Sequence, residues 1–430
     1  MRKRFLKYAD LPPNPMDERD LELYKELGFD VCLLTEDDVD LVAEGTVSDE
    51  YKQAIANIEK TGMDVWIRNM FNDEDYFQCD APKKGSNYGT PYEMEARNIT
   101  TEFQELSGVK GFYMADEAYM YTMPEEIPVS WINKDAYQFA SFDKLVKLVE
   151  WKNKYYPDAF WHMNHVPSQS WDHYLPQNGK IYSYEEFLTA YTEKILKKLK
   201  GCKRSLCIDN YPFIGKNYIE KDYLYDLLTV SKVAKDYNSQ VSEEDKATLG
   251  ICIQTFHAQA MPKDDPRNRD IISTEEITLQ LYTGMAVGAR MFEFFCYHSY
   301  EEMQGIMDAD GNKRIHDLVK EANHRIAAIE EDIFDYKYVG TFAVPGSKIA
   351  ENIAGFVMAK DLFYQDSNIK VEAECDTVVG CFEKDGKKGY LFVNYTDPIR
   401  NHTSQIRVWG ADGTEVEVTL QPGGAAFITL

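Results

Sequence analysis

The sequence predicts an α/β protein: a (β/α)8 barrel (TIM barrel) followed by a small C-terminal all-β sandwich. Three observations predict it. Short apolar runs alternate with longer helical patterns through residues 1–336, which means βαβ units and a parallel sheet. The first strand is not followed by the glycine-rich phosphate turn that a doubly wound open sheet usually carries. Beyond residue 337 the helical period stops, and short strands separated by Asp385-Gly386, Asp412-Gly413 and Pro422-Gly423-Gly424 take over.

The elements follow in order. Residues 5–8 form the first strand, ending at the loop Pro12-Pro13-Asn14-Pro15, and 28–35 the second. A helix over 49–60 is closed by Gly62, in the place of a C-terminal cap. Strand 63–68 leads to a helix over 93–106, capped by Gly108, and to strand 109–114. Helix 142–155 stops at Pro157, and strand 159–164 follows. Helix 184–199, strand 205–208, helix 223–236 and strand 249–253 continue the alternation. The last unit pairs a helix over 273–289, opened by the capping box Ser273-Thr274-Glu275-Glu276, with a strand over 291–297. A long amphipathic helix over 316–334 closes the barrel domain, 1–336, and the sandwich occupies 338–430 as an accessory domain free of helix.

Composition narrows the function. The 430 residues carry 47 Lys+Arg against 72 Asp+Glu, a formal charge of −25. Such a surface repels phosphate backbones and anionic lipid, so nucleic acid and membrane are not expected partners. With 44% hydrophobic and 13% aromatic residues there is ample material for a core. No run approaches the ~20 apolar residues of a membrane-spanning helix, and the basic start Met1-Arg2-Lys3-Arg4 lacks the apolar segment of a signal peptide. The eight cysteines sit mostly in apolar runs such as Leu206-Cys207-Ile208, without CxxC spacing. They are read as buried hydrophobes of a cytoplasmic protein with no cofactor and no metal.

In a barrel the active site lies at the C-terminal ends of the strands. Here that rim is rich in carboxylates and aromatics and has neither a lysine cluster nor a phosphate loop. It is the profile of a site for a neutral, polyhydroxylated ligand, whose ring faces stack on aromatics while hydroxyls bond to Asp, Asn, His and Arg. Glu117, at the end of strand 4, is the expected general acid, with Asp116 beside it raising its pKa by like-charge repulsion. An Asp-Glu pair that caps the next helix is the bland alternative. Asp209 ends strand 6 before Tyr211-Pro212-Phe213, either as a catalytic carboxylate or as the residue turning the chain before Pro212. Arg68, Trp161, His162, His165, Tyr211, Gln254, His257, Tyr297 and His298 complete the expected substrate-binding set. His162 and His165 have the i,i+3 spacing of metal ligands on a helix, but the segment is a strand end, so bonds to hydroxyls are expected instead. Glu293, mid-strand, is read as a structural ion pair with Arg68 or another barrel residue.

The segments Gly111 to Glu117, Cys207 to Phe213 and Ala286 to Tyr297, with Pro422-Gly423-Gly424-Ala425-Ala426-Phe427 near the end, resemble the β-galactosidase-like branch of the retaining (β/α)8 glycoside hydrolases. The resemblance implies hydrolysis of an O-glycosidic bond with Glu117 as acid/base. Two positions depart from it. The strand 4 motif is Asp116-Glu117 rather than Asn-Glu, and the nucleophile position at the end of strand 7 holds Gln254. An amide forms no glycosyl ester. The resemblance therefore leaves an inverting enzyme with Asp209 or another carboxylate as base, a substrate-assisted enzyme, or a non-catalytic carbohydrate-binding barrel. The oligomeric state is open.

Overall fold

The computed structural model describes residues 4–35, 42–43, 46–68, 108–116, 134–169, 183–214, 218–258, 269–300 and 303–430. The expected helix over 93–106 and Glu117 lie outside them. Eight strands form one parallel sheet: β1 (Leu6–Ala9), β2 (Val31–Leu34), β3 (Asp64–Arg68), β4 (Val109–Asp116), β5 (Phe160–His165), β6 (Arg204–Asp209), β7 (Ala247–Gln254) and β8 (Met291–Phe295). Their order runs β1-β8-β7-β6-β5-β4-β3-β2. The two ends of this order meet where the Asp30 amide donates to the Lys7 carbonyl at 2.8 Å, so the sheet curls into a barrel.

The helices are α1 (Glu18–Glu26), α2 (Asp49–Lys60), α3 (Lys134–Tyr155), α4 (Tyr184–Lys194), α5 (Tyr223–Asn238), α6 (Thr274–Ala286) and α7 (His316–Ile333). Their starts are written in polar side chains. Ser48, Ser183 and Ser273 accept from the first-turn amides of α2, α4 and α6, and Glu186 and Glu276 complete two capping boxes. Side chains alternate along every strand. Val65, Ile67, Phe112, Trp161, Met163, Ile208, Ile253 and Phe294 pack against the helices, while Tyr8, Val31, Leu33, Trp66, Tyr113, Cys207 and Met291 fill the interior. The interior is tight: a Cβ on Gly250 would lie 2.5 Å from Met291 Cε and 2.9 Å from Cys207 Sγ.

After α7 two antiparallel sheets stack as a sandwich. One holds β9 (Lys337–Val344), β11 (Thr377–Lys384), β12 (Lys387–Asn394) and β15 (Ala425–Thr429); the other holds β10 (Ile369–Ala373), β13 (Ser404–Gly410) and β14 (Glu415–Leu420). Val379, Cys381, Phe392, Ile406 and Val408 form the core between them. One expectation is corrected here. The region is not free of helix, because Ile353–Ala359 forms a short helix, α8. Its seven residues are too few to show a 3.6-residue period, and it is held by tertiary packing: a Cβ on Gly355 would lie 2.8 Å from the Lys221 carbonyl oxygen, just before α5.

The sandwich is built onto the barrel. A Cβ on Gly380 of β11 would stand 2.5 Å from the Ala286 carbonyl oxygen at the end of α6, so only glycine lets the sheet approach. Arg269 of the loop before α6 forms a bidentate pair with Asp397 of the sandwich, at 2.6 and 2.8 Å, and bonds Glu276 at 2.6 Å, all of them buried. The guanidinium also lies 4.5 Å over the Phe213 ring, in the loop after β6. Among the described residues no helix is long and apolar enough to cross a membrane.

Candidate active site

Alternation decides which residues reach the barrel axis. Tyr8 and Asp10 share one face of β1 and its extension, as do Trp66 and Arg68 on β3, His162 and Asn164 on β5, Cys207 and Asp209 on β6, Cys252 and Gln254 on β7, and Glu293 and Phe295 on β8. On β4 the pairing with β5 shifts between Tyr113 and Asp116, which keeps both on the inner side despite their odd spacing.

Arg68 is the hub. Its Nη2 bonds Asp10 Oδ2 at 2.8 Å and Asp116 Oδ2 at 3.2 Å, and its guanidinium lies 5.1 Å from the Tyr113 ring centre. The other Asp116 oxygen accepts from the Tyr113 hydroxyl at 3.0 Å and from Asn164 Nδ2 at 3.2 Å. One layer below, the Tyr8 hydroxyl donates to Glu293 Oε2 at 3.0 Å and stands 2.6 Å from His162 Nε2. Glu293 thus bonds Tyr8, with His162 Nε2 3.4 Å from the same carboxylate oxygen, while Arg68 pairs with Asp10 and Asp116.

The electrostatics follow from burial. Burial pushes Asp10 up to about 7; Arg68 opposes that, while Glu293 and Asp116 add to it. Glu293 is pushed up to about 8 by burial first and by Asp116 second. Asp10 and Glu293 thus hold their protons more readily than free carboxyl groups do. His162 and His165 are held down at about 3 by burial, hence neutral imidazoles that hydrogen-bond but carry no charge.

A second wall rises over β6–β8. Tyr211 meets Phe256 edge-on at 4.8 Å, Phe256 meets Phe295 at 5.6 Å, and Phe295 meets Tyr300 at 6.4 Å, with Tyr300 40% exposed. Asp209 ends β6 beside it, 9% exposed. Gln254 shares the inner face, but its amide is engaged. Its Oε1 accepts from the Phe213 amide at 3.0 Å and its Nε2 donates to the Phe213 carbonyl at 3.4 Å, while Gln280 of α6 bonds its backbone on both sides.

The remaining expected residues are distributed by the same parity. Trp161 and His165 lie on the helix side of β5: Trp161 Nε1 donates to the Tyr191 hydroxyl at 2.9 Å, and the His165 ring meets Tyr191 at 4.3 Å. Tyr297 and His298 both bond Asp20 of α1, each at 2.8 Å. His257 pairs with Gln304 in a two-residue bridge, with Nδ1 3.9 Å from Asp270. Arg68, Asp116 and His162 are thus brought together with Tyr8, Asp10, Tyr113, Asn164 and Glu293, residues outside the expected set. Asn164 was accessible from the sequence, since it has the parity of His162.

No protein-family model matches the chain, and no curated protein matches it. Solved structures do. A catalytic mutant of Gan42B, a GH42 beta-galactosidase from G. stearothermophilus, aligns over 100% of this chain and 98% of its own at 9% identity, with a TM-score of 0.61. The structure of Gan42B without that mutation aligns over 100% and 99%, at 9% identity and a TM-score of 0.59. At this identity the likeness is one of fold, and it extends over the whole of this chain.

Proposed function

We propose that the protein is a glycoside hydrolase that cleaves an O-glycosidic bond of a neutral oligosaccharide or glycan, with Glu117 as general acid. The observation that carries this reading is the barrel mouth itself. A carboxylate cluster around Arg68 and an aromatic wall of Tyr211, Phe256 and Phe295 both stand at the C-terminal ends of the strands, in a barrel fold shared with beta-galactosidases. In this reading Asp116, held by Arg68, Tyr113 and Asn164, fixes the end of β4, and Glu117 follows it in sequence. Stacking on the aromatic wall orients the sugar ring, and Asp209 holds the attacking water. Residues 1–336 form the catalytic domain and 338–430 the accessory one. The seven described cysteines are buried thiols, which suits the cytoplasm.

Inversion is the favoured course. Gln254 offers no carboxylate, and its amide is already bonded to Phe213. Retaining and inverting enzymes differ by whether a second carboxylate attacks the sugar or activates water. The same observation favours one alternative, a barrel that binds carbohydrate without cleaving it. A panel of nitrophenyl glycosides and oligosaccharides separates the two. Turnover abolished by Glu117→Gln supports hydrolysis, whereas binding without turnover across the panel supports the alternative. NMR of the first-formed anomer reads the course: inversion supports Asp209, and retention confined to 2-acetamido sugars transfers the role to the substrate.

A further inference from the structure

The middle of the barrel, one layer beneath the rim, holds a cluster that the proposed sugar chemistry does not use. His162 Nε2, Cys207 Sγ and a carboxylate oxygen of Glu293 all lie within 4.8 Å of one another, and all three residues are buried. They project from β5, β6 and β8. From β1 the Tyr8 hydroxyl joins them, 2.6 Å from His162 Nε2 and 3.0 Å from Glu293 Oε2. We propose that Tyr8, His162, Cys207 and Glu293 form a closed binding site for a single divalent zinc-type cation, which ties four strands together across the barrel axis.

The donor set is the first argument. One imidazole nitrogen, one sulfur and two oxygens, converging from four strands, make a borderline mixture that suits tetrahedral zinc and disfavours magnesium or calcium, which take oxygen ligands. The orientation of His162 is the second. Its Nδ1 lies 2.7 Å from Ser205 Oγ, and that hydroxyl reaches the Trp161 carbonyl at 3.5 Å. This contact on Nδ1 turns Nε2 toward the cluster, and with a metal bound on Nε2 the Nδ1–H donates to Ser205 Oγ. A metal-binding histidine is held in this way, by a partner on its other nitrogen.

Charge is the third argument. Arg68 is already bridged to Asp10 and Asp116. The Cys207 sulfur lies 4.0 Å from the Ile208 carbonyl oxygen. A dication that takes a thiolate from Cys207 and a carboxylate from Glu293 gives a neutral assembly, with His162 and Tyr8 as neutral ligands. Neutrality matters where side chains are 0–1% exposed. Formation balances simply: the metal enters, the thiol and carboxyl protons leave to solvent, and no oxidant or reductant is involved. Four protein ligands leave no open position, so the site is structural rather than catalytic. It does not depend on the glycosidase reading.

The test uses the full chain, produced in medium supplemented with Zn2+ or with Co2+ as a spectroscopic substitute, then gel-filtered with EDTA. Metal content by mass spectrometry should give one ion per chain. The cobalt form should show tetrahedral d–d bands and a thiolate-to-cobalt charge-transfer band. In Cys207→Ser the charge-transfer band should vanish and metal retention should fall by about 10-fold or more. Folded wild-type protein that retains no metal overturns the proposal, as does a charge-transfer band that survives Cys207→Ser. Should that variant fail to fold, Glu293→Gln decides: loss of metal supports the site, and full retention overturns it.

Discussion

Replacing Asp397 by Asn tests how the sandwich is fastened to the barrel. Asp397 takes both Nη atoms of Arg269, at 2.6 and 2.8 Å, and neither residue is more than 8% exposed. Removing one partner of a buried pair costs about 3–5 kcal/mol, because the other charge is left uncompensated. Asn keeps the shape and still accepts from the Ile399 amide, and Glu276 remains on Arg269 at 2.6 Å. The lower end of the range, about 3 kcal/mol, therefore applies. For 430 residues unfolding as one unit, an unfolding entropy of about 2.1 cal/mol/K per residue turns that into a fall of roughly 3 °C in Tm. Arg269→Met should cost more, about 5 kcal/mol and roughly 5–6 °C, because it leaves two buried carboxylates facing each other and strips the cation from the Phe213 ring. Calorimetry and guanidinium titration of both single variants and the double variant close a cycle. The double variant should be clearly less destabilised than the sum of the singles. A Tm for Asp397→Asn within about 1 °C of wild type, or strict additivity, would refute the reasoning.

Three further outcomes are expected. Asp226 bonds the Ser168 amide at 3.0 Å and Asn210 at 2.7 Å, and burial pushes its pKa up from 3.8 to about 7. A carboxyl raised in the folded state contributes stability that is complete below its unfolded pKa and is lost as pH rises through the folded value. The cost of Asp226→Asn, measured by denaturant titration, should therefore shrink by up to about 4 kcal/mol between pH 4 and pH 8, and a cost independent of pH would contradict it. Arg68→Met removes the cation that opposes the upward shift of Asp10. Its destabilisation should be about 3–5 kcal/mol at pH 8 and distinctly smaller at pH 5, where Asp10 is protonated; equal losses at both pH values would argue against the pairing. Gly380→Ala forces a methyl against the Ala286 backbone, and calorimetry should show a loss of about 1–3 kcal/mol, with no change counting against the close packing.

The order of strands and helices is legible in the sequence because it rests on local periods, and capping residues such as Ser273 and Glu276 mark helix starts within a single turn. The carboxylate- and aromatic-rich rim is legible for the same reason, once strand ends are known to line a barrel mouth. The interior of the sandwich is less so. Tyr390-Leu391-Phe392-Val393 reads as a continuous apolar run, and only the structure shows that Tyr390 and Phe392 face the sandwich core while Leu391 and Val393 face the barrel. The site depends still more on tertiary structure. His162 and His165 look alike in sequence, yet one reaches the axis and the other packs on α4, because neighbours in a strand that differ by an odd number point to opposite sides. Gln254 has the right parity, but parity does not reveal that Phe213 claims its amide. Tyr8 and Glu293 meet across 285 positions, and Arg68 and Asp116 across 48. The sequence by itself determined the alternating elements, the acidic aromatic rim and the change of texture near residue 337. Which carboxylates share Arg68, and which four strands place His162, Cys207, Glu293 and Tyr8 side by side, was decided by the closure and stagger of the barrel, long-range geometry that no local pattern carries.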